Sequence, residues 1–298
     1  MTQMGRCPVG RGCHGPARLL AQPSVRRLRP ALAERGRASP ETPGAPSGPV
    51  VAPPPKGRVA LVGRDSMERA SLTADTILED SAPSRDDLDH LARGGGPVVL
   101  RGCALEGADL SDLDLTDWRF DRCTLPGARF TGARLDGVGF VGCRGATATF
   151  AGAVLTDCRI EGGDFGNVRF SATTLSSVAF KGCKLTGADF TGARTLDVSF
   201  DEVILTLALM PKFSFRKAQL QGVTFAEADL RGCDFRDAVF SGASLRDAHI
   251  ADCRFEGADL RGADLGGIRL TDASRFKGAV ISKAQAGDLL GQLGLKVR

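Results

Sequence analysis

Nine cysteines and three histidines are among the side chains in this chain of 298 residues that could bind a metal ion or act as nucleophiles. Thiolates and imidazoles bind zinc when several converge on one point, and a nucleophile needs a neighbouring base. His14, His90 and His249 stand neither in a zinc-binding spacing nor beside a plausible nucleophile. Cys7 and Cys13 lack the paired spacing of a structural zinc site. We therefore predict no catalytic residue, no metal and no cofactor, and an enzyme is the least favoured class.

A glycine-rich hexapeptide, GVGFVG at 137–142, matches the dinucleotide-binding fingerprint letter for letter. That fingerprint binds a pyrophosphate only where it follows a strand and opens a helix. Here it lies inside a five-residue repeat, so we interpret the match as chance.

The remaining seven cysteines share one position of that repeat. Each lies three residues after one large apolar position and two residues before the next. They are Cys103, Cys123, Cys143, Cys158, Cys183, Cys233 and Cys253. A buried free thiol behaves as a small apolar group, and free thiols are typical of a reducing compartment. The chain has no apolar run of the roughly 18 residues that cross a bilayer. We therefore expect a cytoplasmic protein without a membrane partner.

The repeat itself runs from Val98 to Asp272, with an apolar residue at nearly every fifth position. A period of five fits neither a helix nor a strand. Glycine is frequent two residues after each large apolar residue, where it favours a turn. A chain that turns the same way every five residues winds into a solenoid.

Four units are predicted to close one turn, because the phenylalanines align at a spacing of 20 residues. The predicted core ladder contains Phe120, Phe140, Phe180, Phe200 and Phe240. The outward residue before each large apolar residue gives an independent indication, since charged residues at these positions have opposite signs when they lie 20 residues apart. Register pairs of this kind are Asp114 with Arg134, and Asp164 with Lys184. Neighbouring turns should lie about 4.8 Å apart, close enough for these pairs to interact.

Three segments, GADLSDLDL at 107–115, TGADFTGARTL at 186–196 and EGADLRGADL at 256–265, resemble the pentapeptide repeat family. The resemblance implies an all-β solenoid, a right-handed quadrilateral β-helix of about nine coils with short capping helices at both ends. It says less about function. The best-known members bind type II topoisomerases by imitating DNA and protect against quinolones, so the resemblance implies gyrase as one possible partner.

Four regions are predicted along the chain. Residues 1–58 form a disordered basic Pro/Arg-rich arm, and 59–97 an N-terminal segment with a strand at Val59–Val62, a helical or irregular 66–79 and a capping helix at about 84–93. The β-helix covers 98–281, and 282–298 form a C-terminal capping helix and tail. The arm could bind nucleic acid, serve as a targeting peptide, or be a solvated extension with Met67 as the true start.

Departures from the pattern mark the candidate interaction surface. Ile204, Leu207 and Leu209 fall on outward positions, and we name them the 204–209 patch. Contiguous exposed apolar surface usually marks a partner site. The alternative is a bulged coil that buries these side chains. Elsewhere, Gly145 and Thr195 occupy positions that normally hold a large apolar residue.

These features favour a non-catalytic scaffold for protein–protein interaction, with an unidentified protein partner or a homo-oligomer. The first alternative is a DNA-mimicking topoisomerase modulator. Residues 101–280 disfavour it, because 22 Lys and Arg nearly balance 24 Asp and Glu. The second alternative is nucleic-acid association through the arm, since residues 1–60 carry ten Lys and Arg against two Glu.

Overall fold

The computed structural model describes residues 76–268, 273–292 and 294–296. All of them belong to one compact unit, Pro53–Arg298. The predicted arm at 1–58, the possible strand Val59–Val62 and Met67 lie outside the described residues.

Short parallel strands make up the unit, because the chain turns too often for long ones. In the described residues they are β1 (Thr76–Glu79), β2 (Val98–Arg101), β3 (Arg119–Asp121), β4 (Arg134–Asp136), β5 (Gly139–Val141), β6 (Val154–Thr156), β7 (Arg159–Glu161), β8 (Thr174–Ser176), β9 (Ala179–Lys181), β10 (Arg194–Leu196), β11 (Ser199–Asp201), β12 (Gln219–Gln221) and β13 (Val239–Ser241). One sheet has the order β1-β2-β3-β5-β7-β9-β11-β12-β13, and a second has the order β10-β8-β6-β4. The remaining faces are joined by isolated parallel bridges.

Every regular pairing joins residues 20 apart, as in Phe120 with Phe140 and Leu135 with Leu155. The outward residue of each unit uses both its N–H and its carbonyl to bond the preceding turn. Thr124 N–H donates to the Cys103 carbonyl at 3.0 Å, and the Thr124 carbonyl accepts from Leu105 N–H at 2.7 Å. Rungs in this register run from Leu100 to Leu260, and eight full turns separate the two. The predicted quadrilateral β-helix is confirmed.

The apolar residues of all four faces fill the inside of the coil. The rings of Phe120 and Phe140 stack with centroids 4.7 Å apart, and those of Phe180 and Phe200 at 5.1 Å. Phe240 lies in the same column, paired with Leu220. The five phenylalanines of the predicted ladder are all buried.

Helix α1 (Arg85–Gly94) covers the N-terminal end of the described coil. It begins after Ser84, whose hydroxyl accepts from Asp87 N–H while the Asp87 carboxylate accepts from Ser84 N–H. This capping box satisfies backbone donors that the first turn leaves without partners. Leu88 is buried in the core, and Arg85 donates to the Asp109 carbonyl at 3.1 Å.

Helix α2 (Lys283–Gly291) covers the other end, after a 3-10 helix at Ala273–Phe276. Ser282 and Gln285 form a second capping box. The Gln285 amide also donates to the carbonyls of Leu260 and Ala263, both at 2.8 Å. Open carbonyls at the end of the last regular turns thereby gain partners.

The sheet begins earlier than predicted, which corrects two expectations. Residues 76–79 form β1 rather than a helix or an irregular segment, and Leu78 pairs with Leu100, so strand pairing starts before residue 98. The sequence conceals this strand because α1 is inserted between the partners. Their spacing of 22 residues therefore departs from the regular 20. At the other end Asp259 bridges Val280, one residue out of the regular spacing.

Candidate protein-interaction surface

The corners of the coil set the geometry of the surface. The residue two after each large apolar one has a positive φ, such as 68° at Gly187 and 55° at Asn167. Asn167 leans over the glycine one turn further on, and its Oδ1 lies 2.3 Å from the place where a Cβ on Gly187 would be. Glycine at 187 therefore adopts this angle at little cost and leaves room for the Asn167 side chain, whereas other corners hold non-glycine residues such as Asn167 itself.

The 204–209 patch is built on one of these corners. Leu207 occupies the corner itself with φ 59°, and Ile204 and Leu209 lie on the two faces that meet there. Their exposed fractions are 44% for Ile204, 51% for Leu207 and 44% for Leu209. Ile204 bridges Lys184 and Thr224 in the regular register, so the coil does not bulge. The alternative of a bulged coil is wrong, and the three side chains lie together in solvent.

Charged side chains surround the patch. Asp189 and Asp229 lie below and above Leu209, and Glu227 lies one turn above Leu207. Arg231 binds the Asp229 carboxylate at 2.6 Å and holds the pKa of that carboxyl below its usual range. An apolar centre with a charged rim is the usual composition of a protein interface.

The predicted register pairs are aligned by the backbone, but only one of them forms an ion pair in the described residues. Lys184 Nζ lies 3.2 Å from Asp164. Asp114 is bridged to Arg134, yet it accepts from the Thr116 hydroxyl at 2.6 Å, and Arg134 lies 3.8 Å from Asp136. Arg134 therefore reaches a partner two residues away, whereas Arg129 reaches Asp109 in the preceding turn at 2.9 Å, as the spacing of 20 residues also predicts.

A second kind of ion pair was missed from the sequence. An Asp followed two residues later by Arg, with a large apolar residue between them, forms a tight pair along one face. The pairs are Asp229–Arg231, Asp234–Arg236 and Asp259–Arg261. Residues two apart in an extended segment point to the same side, so both charged side chains point outward. An Asp and an Arg on either side of a large apolar residue could therefore have revealed these pairs from the sequence.

The seven repeat cysteines are free and buried. Most of their thiols donate to the carbonyl 23 residues earlier, as Cys123 does to Leu100 at 3.2 Å and Cys158 to Leu135 at 3.2 Å. Burial raises the pKa of the Cys158 thiol to about 12. Such a thiol is a poor nucleophile at neutral pH, because only the thiolate reacts. In the described part of the chain no three His, Cys, Asp or Glu side chains converge to hold a metal.

The missing large residue at Gly145 is explained by its neighbour one turn further on. A Cβ on Gly145 would lie 2.6 Å from two ring carbons of Phe165. The Phe165 ring also lies against Gly163, where a Cβ would meet it at 2.5 Å. The ring therefore occupies the volume that a leucine at 145 would fill, and the core stays closed.

Fold and surface together define a four-sided parallel β-solenoid with one apolar corner patch. Family models described as "Pentapeptide repeat region", "Pentapeptide repeats (9 copies)" and "Pentapeptide repeats (8 copies)" match residues 133–208, 213–263, and 99–137 with 248–285, respectively. The chain belongs to the pentapeptide repeat family.

Similar solved structures include two of QnrB1 and one of HetL. A trypsin-treated variant of QnrB1, a plasmid-mediated fluoroquinolone resistance protein, is 24% identical with a TM-score of 0.56, covering 68% of this chain and 100% of that one. Full-length QnrB1 is 18% identical with a TM-score of 0.52, covering 74% and 100%. HetL, a heterocyst differentiation regulator from the cyanobacterium Nostoc, is 22% identical with a TM-score of 0.30, covering 63% and 86%. The QnrB1 likeness shows a shared fold.

No curated protein matches the chain. Neither helix of the described residues has the length and apolarity needed to span a bilayer.

Proposed function

We propose that this protein is a non-catalytic scaffold that binds a protein partner, or a second copy of itself, through the 204–209 patch. The observation that carries the proposal is the concentration of three exposed apolar side chains on one corner, at 44%, 51% and 44% exposure. The buried free thiols further support a reducing, cytoplasmic location.

Leu207 is unfavourable for the fold by itself, which supports a role in binding. An L-residue in the left-handed region costs roughly 1–2 kcal/mol. Glycine at Gly127 and Gly187 avoids that cost in the same corner column. Other corners also hold non-glycine residues at positive φ, so Leu207 is distinguished by a large apolar side chain that is 51% exposed.

The test compares the Leu207→Ser/Leu209→Ser variant with a matched Val154→Ser variant. Val154 is also exposed, at 44%, but it lies in β6 on a different face of the coil. Tagged proteins are used for affinity capture from native cytosol with mass spectrometry, and sedimentation velocity measures self-association. We expect the patch variant, and not the Val154 variant, to lose the captured partner or the dimer. Capture and self-association that are the same in both variants would remove the patch as the binding site.

The topoisomerase function implied by the family resemblance is disfavoured by charge. A DNA mimic must present a strongly negative surface to a groove built for phosphates. Residues 101–280 carry 22 Lys and Arg against 24 Asp and Glu. We expect no inhibition of supercoiling by purified gyrase, even with a large excess of this protein. Nucleic-acid binding through the arm would instead appear as steep salt dependence that is lost in a chain starting at Met67.

A further inference from the structure

The hydrogen-bond ladder between turns is interrupted at one place on the face that holds β10. Below it, Arg194 N–H donates to the Thr173 carbonyl at 2.8 Å, and above it Asp234 N–H donates to the Phe213 carbonyl at 3.0 Å. Between these turns, the described residues form neither a bridge from Arg194 to Ser214 nor the regular backbone bonds. β10 is accordingly the last strand of its sheet. We call the gap the seam, with a lower lip at residues 192–199 and an upper lip at 211–219.

An exchange of side-chain size accounts for the seam. Thr195 stands above Leu135, Leu155 and Leu175 in a column that elsewhere holds large residues, whereas Phe213 stands at a small position. The Phe213 ring lies 5.8 Å from the rings of both Phe190 and Phe200. It thus fills the space that Thr195 leaves empty. A phenylalanine where the coil normally places alanine or cysteine keeps the two turns from closing.

Inward positions along the seam are partly open to solvent. Ala193, Thr195, Val198 and Ala218 are half-buried, while most of their counterparts in other turns are fully buried. Leu196 is 70% exposed, more than Leu207 in the 204–209 patch at 51%. The backbone of β10 therefore has an open edge beside an exposed apolar side chain. Such an edge is a template for pairing with another strand.

The lips of the seam are basic. Arg194 lies on the lower lip, and Lys212, Arg216 and Lys217 lie on the upper lip. Asp197 is the only carboxylate on either lip, and within the described residues none of the four cations takes part in an ion pair. Unpaired cations around an open edge favour an acidic occupant.

We propose that the seam binds an extended acidic segment of a partner protein by strand addition to β10. The segment's backbone pairs with the open N–H groups of Thr195 and Asp197, and its carboxylates meet Arg194, Arg216 and Lys217. Strand addition combines backbone bonds for affinity with side-chain contacts for specificity. Because neighbouring strands lie about 4.8 Å apart, a strand added between the lips places the upper lip about 9.6 Å from β10. No hydrogen bond between the lips on this face has to break first. The chain's own N-terminal arm does not fit this site, because residues 1–60 carry ten Lys and Arg against two Glu.

The test uses a fluorescein-labelled octapeptide of alternating glutamate and valine, titrated with the full chain and followed by anisotropy. We expect binding to weaken at least about tenfold when lysine replaces glutamate or when alternate amides are N-methylated. Hydrogen exchange at Thr195 and Asp197 should slow when the acidic peptide is bound. Equal binding of the N-methylated peptide would overturn the proposal, as would tighter binding of oligothymidylate in competition with the peptide.

Two variants locate the binding at the seam. Thr195→Leu/Phe213→Ala restores the regular pattern, so it should close the seam and abolish peptide binding. Arg216→Gln/Lys217→Gln removes surface charges without touching the core, and it should weaken binding about tenfold even if the first variant fails to fold. Peptide affinity unchanged in the charge variant would overturn the proposal. Arg119→Gln/Arg159→Gln is the matched control with expected wild-type affinity, because it removes two exposed cations from β3 and β7 of the other sheet.

Discussion

Replacing Leu207 separates the strain of its corner from the function of its side chain. In Leu207→Ala the strained φ of 59° remains and the half-buried side chain is lost. Since full burial of a leucine is worth about 1.5–3 kcal/mol, losing half of it costs about 1 kcal/mol. In Leu207→Gly the same burial is lost, but relief of roughly 1–2 kcal/mol of strain outweighs the 0.5–1 kcal/mol entropic cost of glycine. The free energy of unfolding of the glycine variant should therefore exceed that of the alanine variant by about 0.5–1 kcal/mol and approach the wild-type value.

Urea denaturation followed by far-UV circular dichroism measures these free energies of unfolding. Ala172→Gly provides the matched control, because Ala172 occupies a corner of another column with φ 55°. The free energy of unfolding of the Ala172→Gly variant should rise by about 0.5–1 kcal/mol, and partner binding should stay intact. Both Leu207 variants should lose the partner captured by wild type. An alanine variant as stable as the glycine variant would refute the left-handed corner, and retained binding by the glycine variant would refute the role of the side chain.

Three further predictions concern the core and its charges. Gly145→Leu restores the family pattern but should destabilise the fold by about 2 kcal/mol through overpacking against Phe165, and Phe165→Leu should rescue it in the same denaturation assay. The pKa of Asp259, held at about 2 by its arginine partner, lies below the unfolded value near 3.9, so its stabilisation is present above about pH 4 and lost toward pH 2. The pKa of the Cys158 thiol is raised to about 12 in the folded protein, above the unfolded value near 8.5, so its stabilisation is lost as pH rises above about 8.5. The melting temperature plotted against pH should therefore show a plateau between about pH 4 and pH 8.5. In a chain with both N-terminal cysteines replaced by serine, native protein should not react with Ellman's reagent, whereas urea should expose seven thiols; rapid native reaction would contradict thiol burial.

The repeat could be predicted because its signal is strictly local. An apolar residue at every fifth position and a turn residue two places later suffice to place Phe120 over Leu100. Strand β1 could not be predicted, since α1 lies between it and β2 and removes the periodicity. The ion pairs were predicted only in part, because alignment of Cα atoms does not decide which partner a long side chain reaches. Arg134 lies near Asp136 for that reason.

The seam shows where reasoning from the repeat pattern stops. Thr195 was recognised as an exception, but a missing large side chain has two opposite consequences in this core. At Gly145 the neighbouring Phe165 fills the volume and the ladder continues, with Gly145 N–H donating to Asp164 at 2.8 Å. At Thr195 the volume is filled by Phe213, and the ladder between the turns is lost. Whether the hydrogen-bond ladder continues or is interrupted depends on how several phenylalanine rings pack. The five-residue period of the sequence does not determine that packing.

Two of the departures from the pattern lie next to each other in the solenoid. The 204–209 patch and the upper lip of the seam are consecutive in sequence and meet near the corner at Lys212. Two of the family matches end and begin there, at residues 208 and 213. Because each turn contacts only its neighbours, an unfavourable residue costs stability locally and the rest of the coil tolerates it. A strained exposed leucine and an open strand edge are both costly for folding, and neither is needed to close the coil. Their adjacency is expected if this stretch binds a partner protein, as proposed above.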